Sequence, residues 1–197
     1  MAELAARHRA VHLDFGTGDG AFALRRARSE PSTLVIGVDA SAEGLREPSR
    51  RAAGKPARGG LANALFGVLP LERAPGELVG LIDSLSVLLP WGSLLRAVAL
   101  PEADGLARLR GLCKPGASLQ VVFGYGPGDP LAVQALPGLR AEGRAAALVQ
   151  AYAGAGFTVT ARTTSREEVG ELPTTWAKKL AYSNSEREFV TLTGVAS

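Results

Sequence analysis

Short runs of apolar, often β-branched residues alternate along the chain with longer segments that mix apolar and charged positions. Runs of this kind, bounded by glycine, proline or polar residues, are typical of buried strands. The predicted strands cover residues 11–15, 33–38, 64–69, 81–89, 118–123, 157–162 and 188–193. The predicted helices follow residue 19 and cover residues 41–53, 102–113 and 142–155, with Ser41 as the N-cap of the second.

This alternation of strands with helices of crossover length predicts an α/β fold with a mostly parallel sheet. The chain has 197 residues and contains no internal repeat and no stretch typical of a linker. That length suffices for one substantial core, so we expect a single domain over residues 1–197.

Composition excludes several classes of protein. No apolar run approaches the length of a membrane-spanning helix, and the N-terminal segment lacks the apolar core of a signal peptide. Cys113 is the only cysteine, which rules out an internal disulfide and favours a cytoplasmic protein. His8 and His12 are the only histidines, so we expect no metal site of the cysteine/histidine type.

Basic residues cluster although the formal net charge is only +3. One cluster lies within residues 46–58, and Lys178 and Lys179 adjoin Trp176. Such runs are most often solvated surface. Their position beside a tryptophan and a glycine-rich segment also fits contact with a polyanion.

A glycine-rich turn follows the first predicted strand, with the sequence Gly16-Thr17-Gly18-Asp19-Gly20 after Asp14. In open α/β sheets, ligands bind at this point, where backbone amides and a helix N-terminus face them. Asp39 ends the second predicted strand and is well placed to accept hydrogen bonds from ribose hydroxyls. The turn therefore predicts a nucleoside-containing cofactor. A dinucleotide motif has its third glycine one position later, at Ala21, but this spacing alone does not decide which cofactor binds.

Two segments, DFGTGDG (14–20) and LCKPGASLQVVF (112–123), resemble motifs of class I S-adenosylmethionine-dependent methyltransferases. Three more, KPARGGLANALF (55–66), IDSLSVLLPWGSLL (82–95) and TTWAKKLAY (174–182), resemble the aminoglycoside-resistance 16S rRNA adenine-N1 methyltransferases. The likeness extends over residues 11–194. It implies a Rossmann-like fold with a seven-stranded sheet, helices on both faces and an antiparallel last strand. It also implies S-adenosylmethionine as cofactor and the small ribosomal subunit as partner, with methylation of N1 of the decoding-site adenine.

The resemblance assigns roles to individual residues. In the cofactor site it places Asp14, Gly16, Thr17, Gly18, Asp19 and Asp39, with Leu69, Pro70 and Glu72 around the adenine ring. Positions that contact rRNA phosphates match Lys55, Arg58, Lys178, Lys179 and Arg187, the last of which lies between two glutamates. Thr174 matches a residue that steadies the second tryptophan or the target base, although it also fits an ordinary helix cap. We expect a monomer that binds neither DNA nor membrane and needs no metal.

The two tryptophans of the chain, Trp91 and Trp176, are the predicted catalytic residues together with Thr174. Trp91 follows Pro90 at the end of the fourth predicted strand, and Trp176 lies in a predicted loop that returns to the same edge. A base must leave the RNA stack before its Watson–Crick edge can be methylated, and two indole rings can hold such a base. A single tryptophan is more often part of a core.

Two other functions fit the residues. The first is a methyltransferase that acts on a small molecule, which needs a substrate lid rather than exposed basic loops. The second is a nucleotide-binding or ribosome-associated module without catalysis. No histidine, cysteine or paired acids occur in the active-site loops, which suits methylation of adenine N1 because its lone pair is free at neutral pH.

Overall fold

The computed structural model describes residues 1–100, 103–127, 129 and 137–197. Within this part of the chain, seven strands form one sheet in the order β3-β2-β1-β4-β5-β7-β6. Every strand runs parallel to its neighbours except β7, which is antiparallel to both β5 and β6. The strands are β1 (Ala10–Phe15), β2 (Thr33–Asp39), β3 (Ala64–Val68), β4 (Ile82–Leu88), β5 (Cys113–Tyr125), β6 (Phe157–Thr164) and β7 (Glu188–Ala196).

The helices connect these strands. They are α1 (Ala2–Ala5), α2 (Ala21–Ser29), α3 (Arg46–Ala52), α4 (Gly92–Ala99), α5 (Ala103–Leu112), α6 (Arg144–Gly154), α7 (Arg166–Gly170) and α8 (Thr175–Ser183). Short 3₁₀ segments cover Pro56–Arg58, Leu71–Arg73 and Gly76–Leu78. In the described residues, no helix combines the length and the apolar character needed to cross a bilayer.

Helices cover both faces of the sheet. On one face, Leu34 and Ile36 of β2 share a core with the buried sides of α4, α5 and α6. Neighbouring residues of a strand point to opposite faces, so Val35 lies on the other face, against α2 and α3. The strand register puts Val122 of β5 on that second face, where it packs with α7 and α8. The predicted sheet, the helices on both faces and the reversed last strand are confirmed.

Two boundaries differ by five residues from the sequence-based expectation. Helix α3 begins at Arg46, and the Ser41 hydroxyl accepts instead from the amide of Glu43 within the preceding turn, at 3.3 Å. Strand β5 begins at Cys113 rather than at residue 118. The pairing of β4 with β5 shifts register between Ile82 and Ser84, so the 114–117 segment bulges out of the ladder and Pro115 removes no hydrogen bond from it.

Candidate active site

A cavity of ≈ 300 Å³ opens at the carboxyl ends of β1, β2 and β4. The turn after β1 forms one wall, and the segment after β4, which carries Trp91, forms another. Thr174 and Trp176 at the start of α8 complete the lining. The cavity therefore lies at the sheet edge where α/β folds bind ligands.

The glycines of the turn allow this wall to form. Gly18 has φ +57 and no neighbour near its missing Cβ, so its backbone is open toward the cavity. Gly20 has φ +69, and a Cβ there would lie 2.7 Å from Phe66 and Pro48. A side chain at position 20 would thus push α2 away from β3 and α3. This close approach explains why the third glycine falls at position 20.

A buried polar network lies beneath the turn. The Asp14 carboxylate is only 2% exposed and accepts hydrogen bonds from the hydroxyls of Thr17, at 2.6 Å, and Ser86, at 2.8 Å. Because the Ser86 proton goes to Asp14, the Nε2 of His12 must donate to Ser86, at 3.0 Å, and its Nδ1 accepts from the Ser84 hydroxyl, at 2.8 Å. The network thus joins β1 and β4 directly below the turn of residues 16–20, which we call the cofactor turn after its predicted role.

Burial is the main cause of the shifted pKa values in this network. It raises the pKa of Asp14 from 3.8 to about 6, against the opposing effect of the Thr17 and Ser86 hydrogen bonds and of the Arg26 charge. Burial, with a smaller contribution from Arg26, also lowers the pKa of His12 to about 3. At neutral pH the site therefore holds an ionised, largely desolvated carboxylate beside a neutral imidazole.

Two further acids shape the turn. Asp39 accepts from the amide of Gly18 at 3.0 Å and from that of Ser41 at 2.9 Å, which ties the end of β2 to the turn. Asp19 accepts from the amide of Ala21 at 3.1 Å, in the first turn of α2. Both carboxylates line the cavity.

The two tryptophans reach the cavity from separate elements and stay partly exposed, Trp91 at 41% and Trp176 at 47%. Trp91 lies two residues after Leu89. The φ of Leu89, +53, is the one positive value outside glycine in the described residues. This strained backbone, followed by Pro90, turns the chain sharply out of β4. Trp176 lies in the first turn of α8 rather than in a loop as predicted, and Thr174 is the N-cap, accepting from Ala177 at 3.1 Å.

Comparison with known proteins identifies the family of the chain. A family model described as NpmA: 16S rRNA (adenine(1408)-N(1))-methyltransferase matches residues 1–195. The chain belongs to this family.

The relatives match over almost their full length. The 16S rRNA (adenine(1408)-N(1))-methyltransferase of Streptoalloteichus tenebrarius is 36% identical over 198 residues, which cover 99% of this chain and 91% of that protein. The protein of the same name from Escherichia coli is 32% identical over 202 residues, covering 100% and 92%.

Solved structures agree with the fold. A tryptophan-to-alanine mutant of the Catenulisporales acidiphilia family member, crystallised with the cosubstrate SAM, has a TM-score of 0.88 and 35% identity, covering 99% of this chain and 89% of that one. The 16S rRNA methyltransferase KamB also has a TM-score of 0.88 and 35% identity, covering 100% and 92%. The chain thus has the class I methyltransferase fold that the sequence predicted.

The predicted RNA-contacting residues of this family member divide into two groups. Lys55, Arg58, Lys178 and Lys179 are exposed, and the Lys179 ammonium lies 4.5 Å from the centroid of the Trp176 ring. Arg187 is instead only 7% exposed and forms an ion pair with Asp129. The predicted contact of Arg187 with phosphates assumes an exposed side chain, whereas the structure turns this side chain inward, beneath Trp91.

Of the three residues predicted to surround the adenine ring, two line the cavity. Leu69 and Pro70 line the cavity, and Leu71 lines it beside them. Glu72, on the 3₁₀ segment, is exposed and lines a separate cleft with Arg96. The placement of Glu72 beside the adenine ring is therefore not supported, because the tight turn directs successive side chains to different sides.

Sequence reasoning missed several residues that build the site. Phe22, Ser93 and Leu94 line the cavity, and His12 supports Asp14 from below through Ser86. Gly44 packs against the cofactor turn, since a Cβ there would lie 2.5 Å from the Gly18 carbonyl oxygen. No local motif marks these positions, because each contact joins distant parts of the chain.

Proposed function

We propose that this chain transfers the methyl group of S-adenosylmethionine to N1 of the decoding-site adenine of 16S rRNA and so confers aminoglycoside resistance. The observation that carries the proposal is the cavity that combines the turn after β1 with both tryptophans. A cofactor bound at the turn and a base between the indoles would then be neighbours. Membership of the adenine-N1 methyltransferase family supports the same reaction.

The charge of the cavity suits S-adenosylmethionine better than a dinucleotide. Asp14, Asp19 and Asp39 line it, and none of the lining residues that the structure describes is basic. Every charged side chain of the described lining would repel an anionic pyrophosphate, whereas a sulfonium and an ammonium group would meet opposite charge. Asp39 would accept from the ribose hydroxyls, and Leu69, Pro70 and Leu71 provide apolar surface for the adenine ring.

The methionine part would lie along the turn, against Gly16, Thr17, Gly18 and Asp19. Asp14 acts from beneath, because its ionised carboxylate places negative charge under the cationic part of the cofactor. The buried hydrogen bonds from Thr17 and Ser86 fix the direction of that charge.

Methyl transfer to adenine N1 needs alignment rather than acid–base chemistry. The N1 lone pair is free at neutral pH, and bound S-adenosylmethionine supplies an already electrophilic methyl group. The protein must hold N1 in line with that group, and such positioning contributes up to about 7–11 kcal/mol of barrier reduction. We assign this task to Trp91 and Trp176, which stack on the extruded base, with Thr174 fixing the start of the helix that carries Trp176. Methylation leaves a cationic, blocked base edge to which drugs that pair with it bind poorly.

The partner is the assembled small ribosomal subunit. Its rRNA phosphates would contact four exposed basic residues, Lys55, Arg58, Lys178 and Lys179. Lys178 and Lys179 lie on α8, whose first turn lines the cavity, and Lys55 and Arg58 lie at the Pro56–Arg58 segment between α3 and β3. We expect a cytoplasmic monomer that binds neither DNA nor membrane. A methyltransferase for small molecules would have little use for this basic surface.

Primer extension tests the proposal directly. Purified small subunits are incubated with the protein and labelled S-adenosylmethionine, and reverse transcription is run across the decoding site. We expect a stop at the target adenine and label in 16S rRNA. Label without that stop would assign another target, and no label in RNA would favour a small-molecule substrate or a module without catalysis.

A further inference from the structure

Arg187 carries a buried charge that the proposed reaction does not use. Its side chain and that of Asp129 are 6% and 5% exposed. The guanidinium pairs with both carboxylate oxygens, through Nη2 to Oδ1 and through Nε to Oδ2 at 3.3 Å. This two-point geometry fixes the plane of the guanidinium. The charge is thus neutralised inside the protein and kept away from solvent.

The same guanidinium contacts both elements that carry a tryptophan. Its Cζ lies 5.5 Å from the centroid of the Trp91 ring, over one face of the indole. Its Nη1 lies 3.4 Å from the carbonyl oxygen of Leu180 and 3.4 Å from the hydroxyl of Ser183, both on α8. Trp176 is at the other end of that helix. One side chain therefore bridges Trp91 and the helix that bears Trp176.

Asp129 anchors this bridge to the sheet. Besides pairing with Arg187, its Oδ2 accepts from the amide of Gly126 at 2.9 Å, directly after β5. A buried ion pair is weak evidence for stability, since an apolar pair of similar volume often serves as well. We therefore explain the pair by its geometry, because Asp129 holds the planar guanidinium of Arg187 at a fixed place under the Trp91 ring.

We propose that Arg187, oriented by Asp129, is a positioning residue that sets the distance and tilt between Trp91 and α8. It covers one face of the Trp91 ring, while Trp91 and Trp176 line the cavity. The proposal rests on the proposed function, because the spacing matters only if the two rings hold a base. It replaces contact with RNA phosphate as the role of this arginine.

The main test variant is the double substitution Arg187→Met/Asp129→Leu, which leaves no unpaired buried charge. Arg187→Lys is the second variant, since lysine keeps the charge but cannot reproduce the planar two-point geometry. Arg162→Met is the matched control, because Arg162 forms an exposed ion pair between the edge strand β6 and Glu168. All variants are checked for wild-type far-ultraviolet circular dichroism.

Three readouts distinguish positioning from RNA contact. The first is the single-turnover methylation rate at saturating subunits and cofactor, and the second is the salt dependence of subunit affinity. The third is acrylamide quenching of Trp91 in a Trp176→Phe background, where Trp91 is the only tryptophan. This fluorescence readout does not depend on methylation, so it stays valid if the wild-type protein proves inactive on subunits.

Positioning predicts a rate about 10- to 100-fold lower in both variants, with stronger quenching of Trp91 and an unchanged salt slope. The control is expected to match wild type in all three. A salt slope reduced by about one would assign Arg187 to a phosphate and overturn the proposal. Wild-type rate and quenching in Arg187→Lys would also overturn it, even if the double variant does not fold.

Discussion

Replacing Asp14 by asparagine is expected to stabilise the cofactor-free protein while weakening cofactor binding. Asp14 is 2% exposed and its pKa is raised by burial to about 6 from 3.8. Above that pKa, keeping the buried carboxyl ionised costs about 3 kcal/mol relative to the unfolded chain. Asparagine removes the charge and can still hydrogen-bond to both the Thr17 and the Ser86 hydroxyls, because these rotate to donate or accept.

The sign of the pH dependence follows from proton binding. Between pH 3.8 and about 6 the folded state binds more protons at Asp14 than the unfolded state, so its contribution to stability falls as the pH rises through that range. His12 behaves oppositely, since its pKa is lowered from 6.5 to about 3 and its contribution rises with pH in that range. In the wild-type protein the opposite pH dependences of Asp14 and His12 offset each other. The substitution Asp14→Asn removes the first and leaves that of His12.

Urea unfolding from pH 4.5 to 8 measures this effect. At pH 7.5 without cofactor, Asp14→Asn is expected to gain up to about 3 kcal/mol of unfolding free energy, and to lose stability on acidification below pH 6.5. Asp19→Asn is the matched control, because it removes an exposed carboxyl from the same turn and retains an acceptor for the Ala21 amide. An Asp14→Asn protein no more stable than wild type at pH 7.5, with the wild-type pH profile, would refute the reasoning.

Three further predictions concern the cofactor turn and the basic surface. Asp39→Ala should weaken S-adenosylmethionine binding in titration calorimetry, and undiminished affinity would remove its ribose role. Lys178→Ala and Lys179→Ala should each reduce the salt slope of subunit affinity by about 0.7–0.9, and an unchanged slope would contradict phosphate contact. Gly44→Ala should displace the turn, at a cost of about 1–3 kcal/mol in unfolding or cofactor-binding free energy, because its Cβ would meet the Gly18 carbonyl oxygen. Gly76→Ala, with open space at its Cβ, is the control for Gly44→Ala, and equal behaviour of the two would argue against the close approach.

The strands could be predicted because strands of a parallel sheet are buried on both faces and therefore consist of apolar runs. Helices α1, α4, α7 and α8 were not predicted. All four are short, and α4 and α8 overlap segments that were interpreted as motifs. For α8 a signal was present: Ala177, Leu180 and Ala181 are buried at helical spacing. For α7 the capping box of Ser165 and Glu168 was also visible in the sequence.

The cofactor turn could be predicted because its residues are contiguous and its glycines follow from local backbone geometry. The inward direction of Arg187 could not, because it depends on Asp129, 58 positions earlier in the chain. The network under Asp14 likewise joins His12 to Ser86 across 74 positions. Such tertiary contacts set the direction of a side chain. The sequence therefore showed that Arg187 is basic but not that its side chain points inward.

The central claim is that Trp91 and Trp176 hold the extruded adenine over the cofactor, and single-turnover methylation of small subunits tests it most directly. With Trp91→Ala and Trp176→Ala, each loss of stacking, about 1–3 kcal/mol, should lower the rate about 5- to 150-fold. Cofactor affinity, measured in the same preparations, should stay close to wild type. Methylation at the wild-type rate by both variants would contradict the account.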